Sequence, residues 1–105
     1  MKTTERLVDT LIESGVSRAF TLPGLGVTRT LPAFHERKDS LELLLCRSEQ
    51  TASIMAQAPG RLTGKPGVFM GQGPRVASPG HFGLIDAPFA GSPMTGINVT
   101  PDYNG

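Results

Sequence analysis

Cysteine is nearly absent from this chain: Cys46 stands alone among 105 residues, which excludes an internal disulfide. It closes the apolar stretch Leu43-Leu44-Leu45-Cys46, where a thiol is ordinarily structural rather than nucleophilic. His35 and His81 are isolated in the sequence and lack the close Cys/His spacing of a zinc site, so no metal site is expected. Long hydrophobic runs are missing too. The same four-residue stretch is the longest, against the roughly 20 consecutive apolar residues of a membrane span. Nor is there an excess of charge of either sign. Ten basic and nine acidic side chains leave +1, with no Lys/Arg stripe of the kind that binds a phosphate backbone. Neither membrane nor nucleic acid is therefore an expected partner. The polar start, Met1 to Arg6, lacks the apolar stretch of a secretory signal, and the expected location is the cytoplasm.

What the chain does have is turn-forming material. Thirteen glycines and nine prolines accompany 38% hydrophobic and 18% charged residues, a loop-rich globular composition. The length suits one small domain, which would bury roughly two thirds of its unfolded surface.

Helical and extended patterns alternate along the chain. Thr3 or Thr4 can cap a first helix with the stripe Leu7, Val8, Leu11 and Ile12, stopped by Gly15 in a left-handed conformation. Val16 to Leu22 reads as a strand that ends in the turn Pro23-Gly24-Leu25-Gly26. A helix over Leu31 to Arg37 and a strand over Leu41 to Cys46 follow. Ser48 then caps a helix beginning at Glu49, which Pro59-Gly60 should interrupt, leaving a loop from Arg61 to Pro66. Gly67 to Met70 reads as a strand, Gly71 to Pro74 as a turn, His81 to Phe89 as a short helix, and Ile97 to Val99 as a last possible strand. This order predicts an α/β domain, a parallel sheet flanked by helices in three layers, with ligands at the carboxyl ends of the strands. Residues 1–94 make up the expected domain and 95–105 an irregular tail rich in Gly, Pro, Asn and Thr.

The familiar phosphate-binding signatures fail. Gly60 to Pro66 has three residues between its glycines and Pro after Lys65, where the phosphate loop needs four and then Ser or Thr. Gly24-Leu25-Gly26 and Gly71-Gln72-Gly73 begin like dinucleotide fingerprints, but Arg29 and Val76 stand where the third small residue belongs.

Several segments taken in order carry a different pattern: Gly15-Val16 with Phe20 and Pro23-Gly24; Arg47-Ser48-Glu49-Gln50; Gly60-Arg61-Leu62-Thr63-Gly64-Lys65-Pro66-Gly67-Val68; Gly73-Pro74; and Ser92-Pro93-Met94. From about Leu7 to Met94 this series resembles the acetolactate synthase and benzoylformate decarboxylase family of thiamine diphosphate enzymes. Its most specific piece is the glutamate, helix and Thr-Gly-Lys-Pro-Gly-Val succession.

The resemblance implies a pyrimidine-binding domain, here incomplete and truncated, forming the N-terminal part of a 2-oxo acid carboligase or decarboxylase. It places Glu49 as the catalytic carboxyl group, hydrogen-bonded to the aminopyrimidine ring nitrogen. A proton shared there favours the imino tautomer, whose nitrogen can take the thiazolium proton, so Glu49 should be secluded from water. Pro23, Gly24 and Leu25 would line the cofactor cleft, and Gln72 with Gly73 would stand near the substrate. For Glu49 the ordinary alternative is a first-turn glutamate complementing the helix dipole; for Gln72 it is a solvent-facing turn residue. Relatives hold the diphosphate through magnesium in a domain whose Gly-Asp-Gly motif has no counterpart here. Magnesium is thus expected only from an absent domain or a partner, in a homo- or hetero-oligomer. The chain alone is expected to be inactive, and a non-catalytic remnant or interaction module is the alternative, favoured by Pro59, by Arg75 after Gly73-Pro74, and by the poor tail.

Overall fold

In a computed structural model of the protein, residues 2–22, 24–73, 76 and 78–99 are described. Helix α1 (Thr3–Glu13) leads into strand β1 (Arg18–Thr21), followed by the short helices α2 (Leu25–Thr28) and α3 (Leu31–Glu36) and strand β2 (Glu42–Leu45). Helix α4 (Glu49–Thr63), strand β3 (Gly67–Gln72), helix α5 (His81–Ala90) and strand β4 (Met94–Val99) complete the described order. The strands form one sheet, β2-β1-β3-β4, and every neighbouring pair is parallel. Phe20 lies opposite Leu44 on one side and Phe69 on the other, and Phe69 faces Gly96 in turn. The expected α/β architecture is the one observed.

Connection handedness explains the layering. The step from β1 to β2 runs one way across the sheet and the steps from β2 to β3 to β4 run the other way, so right-handed crossovers put their helices on opposite faces. Strand alternation supplies a core to each face. Ala19, Val68 and Met70 pack with Val8, Val27, Ala33, Phe34 and Leu41 beneath α1, α2 and α3. Phe20 and Phe69 pack with Ala52, Ala56 and Val76 beneath α4 and α5. Phe69 is fully buried, and a side chain of that kind contributes about 1.5–3 kcal/mol by leaving water.

Several boundaries differ from expectation for local reasons. Helix α1 is capped from Lys2, whose backbone N–H donates to Glu5 Oε2 at 2.8 Å, rather than by a threonine. Gly15 does stop it, at φ 90°. Within the turn expected after β1, Leu25 to Thr28 closes a helical turn, the Thr28 N–H donating to the Gly24 carbonyl at 2.7 Å. Thr30 precedes α3 without a side-chain cap; its hydroxyl donates to the Val27 carbonyl instead.

Two expectations are overturned. Pro59-Gly60 does not interrupt α4, which continues to Thr63 and ends at Gly64, φ 76°. Pro59 removes one helical donor, but Ala52, Ala56, Gln57 and Gly60 are buried on both sides of it, so packing holds the two halves in line. Nor is the chain irregular from residue 95. Residues 94–99 form β4, paired along its length with β3 from Gly67–Met94 to Gln72–Val99, because Ile97 and Val99 gain contact with the first core. Residues 100–105 of the expected tail lie outside the described residues, as does Arg75.

Candidate functional site

In an all-parallel sheet every strand's carboxyl end opens on the same edge of the molecule. Connections leave β1 towards β2, while β3 joins on the other side, so the topological switch point falls between β1 and β3. At such a point the two loops diverge and leave a crevice for a ligand. Gly24 follows β1, Arg47-Ser48-Glu49 follows β2, and Gln72-Gly73 closes β3.

Glu49 is the first residue of α4 and is 8% exposed. Its backbone is placed by Ser48, an N-cap in extended conformation whose Oγ accepts the Thr51 N–H at 3.1 Å and donates to Thr51 Oγ1 at 2.9 Å. That cap satisfies a donor that the first helical turn leaves open and sets the point at which the chain turns from strand to helix. Glu49 is thereby held, shielded from water, at the carboxyl-terminal edge of the sheet.

Gln72 is partly buried at the last position of β3, in register with Val99. Its side-chain amide lies across Gly24: a β-carbon at residue 24 would stand 2.3 Å from Gln72 Oε1. Just below, the buried Thr21 hydroxyl donates to the Met70 carbonyl at 2.6 Å and ties β1 to β3. Gly73 is buried at φ 50°, and its N–H is used in the sheet, donating to the Val99 carbonyl at 3.2 Å. Leu25 opens α2, while Pro23 lies outside the described residues. The tertiary structure thus brings Gly24 and Gln72 together and buries Glu49 at the same end of the sheet. The Gly24–Gln72 contact joins residues 48 positions apart and left no local mark on the sequence.

Sequence reasoning also passed over the outer side of α5. Phe82, Ile85 and Phe89 are 61%, 46% and 88% exposed and, with His81 and Gln50, border a hollow of about 590 Å³. Their spacing of three and four is a helical stripe, which periodicity alone would turn inward. Cys46 plays no visible chemical part: burial pushes its thiol up, opposed by a backbone hydrogen bond at Thr21, which keeps it protonated near neutral pH. Among the described residues no three His, Cys, Asp or Glu side chains are grouped to hold a metal ion, and no helix is long and apolar enough to cross a membrane.

A parallel sheet whose order reverses between β1 and β3, with a shielded glutamate beginning the helix after β2, has the layout in which α/β domains receive ligands at the strand ends. Comparison with known proteins narrows the class. Residues 1–103 match the family model described as thiamine pyrophosphate enzyme, N-terminal TPP binding domain, and the chain belongs to that family. It is 39% identical over 93 residues to acetolactate synthase of Bacillus subtilis (strain 168), covering 89% of this chain and 16% of that protein. It is 31% identical over 101 residues to the YdaP protein of the same strain, 91% of this chain and 17% of that one. The chain therefore spans about a sixth of the length of these relatives.

Proposed function

We propose that this domain holds the aminopyrimidine end of thiamine diphosphate, with the Glu49 carboxyl group hydrogen-bonded to the ring nitrogen opposite the exocyclic amine, in an enzyme acting on 2-oxo acids like acetolactate synthase. The observation that carries the reading is the burial of Glu49 at the start of α4, on the strand ends where a parallel sheet receives ligands.

The residues present fit one end of the cofactor. Glu49 supplies a hydrogen-bonding carboxyl group that can hold a proton at the ring nitrogen, and Gly24 and Gln72 meet at the carboxyl ends of β1 and β3 on the same edge of the sheet. When bound, thiamine diphosphate supplies the electron sink for chemistry at the carbonyl carbon of the 2-oxo acid. The diphosphate and its magnesium call for oxygen ligands of a kind not grouped among the described residues. A diphosphate-binding domain or subunit is thus the proposed partner, and the exposed stripe Phe82, Ile85 and Phe89 beside Gln50 favours protein contact on that side.

The test is thiamine diphosphate titration in the presence of magnesium, with pyruvate turnover, on the full native polypeptide and its Glu49→Gln variant. Loss of general acid–base help should lower turnover by about 100-fold or more while the protein stays folded. Unchanged turnover in the variant would remove Glu49 from the chemistry, and absence of cofactor binding in the native protein would remove the reading altogether.

A further inference from the structure

Gly24 and the Gln72 amide compete for the same space at the switch point. A β-carbon at residue 24 would lie 2.3 Å from Gln72 Oε1, but 3.4 Å from Cδ and 3.6 Å from Cβ. Only the oxygen at the tip of the side chain would clash; the rest would be in ordinary contact. Gly24 itself is extended, with φ −169° and ψ 168°, which any residue can adopt. The backbone at residue 24 therefore does not require glycine. The position of the Gln72 amide does.

We infer that Gly24 is a positioning residue, whose missing side chain forms the seat of the Gln72 amide and so sets where that amide presents its donors and acceptor. Gln72 can yield in only one way. Its backbone is held in register with Val99 at the end of β3, so a methyl group at residue 24 would swing the amide about its own torsions and leave the strand in place. A carboxamide offers two N–H donors and one carbonyl acceptor, a set suited to the carbonyl and carboxylate of a 2-oxo acid. Its displacement by about 1 Å is enough to cost a reaction heavily. The consequence for catalysis rests on the proposed cofactor site; the Gly24–Gln72 link itself does not.

The test uses the full native polypeptide with Gly24→Ala, Gln72→Ala and the double substitution. Gly24→Ala should keep the native thermal midpoint, shift the side-chain amide resonances of Gln72, and lower kcat/KM for pyruvate by about tenfold. Gln72→Ala should lose a similar factor. The double variant should be no worse than Gln72→Ala alone, since Gly24 acts only through Gln72. Multiplying losses, unmoved Gln72 resonances, unchanged kcat/KM in either single variant, or unfolding of Gly24→Ala would each overturn the inference. Failure of the native protein to bind thiamine diphosphate would defeat the proposed function instead, and the Gln72 resonances in Gly24→Ala would still decide whether the two residues are linked.

Discussion

The two faces of the sheet are packed by different means. On the α1–α3 face the contacts are made by large side chains: Phe34, Leu41, Val8 and Val27 are all at or below 2% exposure. Its rim is joined by Arg37, which hydrogen-bonds Asp9 through both Nε and Nη2. On the α4–α5 face the backbones themselves come close. A β-carbon on Gly67 would fall 1.6 Å from the Ala56 carbonyl oxygen, and one on Gly83 would fall 2.4 Å from the Ser53 carbonyl carbon. The buried Ser53 hydroxyl accepts the Gly83 N–H at 3.2 Å, and Gln57 donates to Asp86 Oδ2 at 2.7 Å, so α4 and α5 are joined by polar contacts as well as by close backbone approach. Phe20 and Phe69 of the sheet fill the space beneath these helices, while the large apolar side chains of α5 itself at Phe82, Ile85 and Phe89 point outwards. One face is finished within the domain. The other keeps its bulky apolar surface available for contact.

The largest expected effect that tests this contrast is at Phe34. Its replacement by alanine empties a sealed site and should cost about 3–5 kcal/mol, read from the denaturant midpoint. On the other face Gly83→Ala should cost about 1–3 kcal/mol by forcing the helices apart, despite the roughly 1 kcal/mol that alanine gains in helix propensity. A neutral or stabilised Gly83→Ala protein would mean that α5 is not seated by close backbone contact.

Smaller, and dependent on pH, is the contribution of the rim pair. The hydrogen bond from Arg37 holds the Asp9 carboxyl below the usual carboxylate range, against an opposing effect of desolvation and with help from the nearby charges of Arg37 and Arg6. A depressed folded-state pKa adds stability above the unfolded value, near 3.8, and that stability disappears as pH falls through the folded value. The thermal midpoints of the native protein and Asp9→Asn should therefore differ at neutral pH and converge below about pH 4. A gap that persists in acid would assign the difference to packing. The smallest effect on stability is expected at Phe89. At 88% exposure its change to serine should move stability by no more than about 0.5 kcal/mol, yet weaken association with a diphosphate-binding partner. Unchanged association would leave the outer side of α5 without that role.

Much of this was legible in order along the chain. Local signals marked the α1 stop at Gly15, the Ser48 cap and the alternation of helix and strand, because caps and periodicity act over a few residues. Pro59 misled for the same reason. Helix propensity is local, whereas the burial of Ala52, Ala56 and Gly60 that carries α4 through it comes from distant partners, Gly60 lying against the Pro93 carbonyl. Residues 94–99 gave a mixed signal: the strand expected over Ile97 to Val99 is present, and it begins already at Met94, in a segment also read as an irregular tail, because β3 offered it a free edge.

The amino-acid sequence by itself determined the α/β class, the family, and the place of Glu49 after β2, since these depend on residue order and spacing. Tertiary structure alone decided that Glu49 is shielded, that Gln72 rests on Gly24, and that the apolar stripe of α5 faces outwards. Each of those depends on which distant segments meet, and that is settled by the direction of the crossovers and by the close approach of backbones that glycine permits.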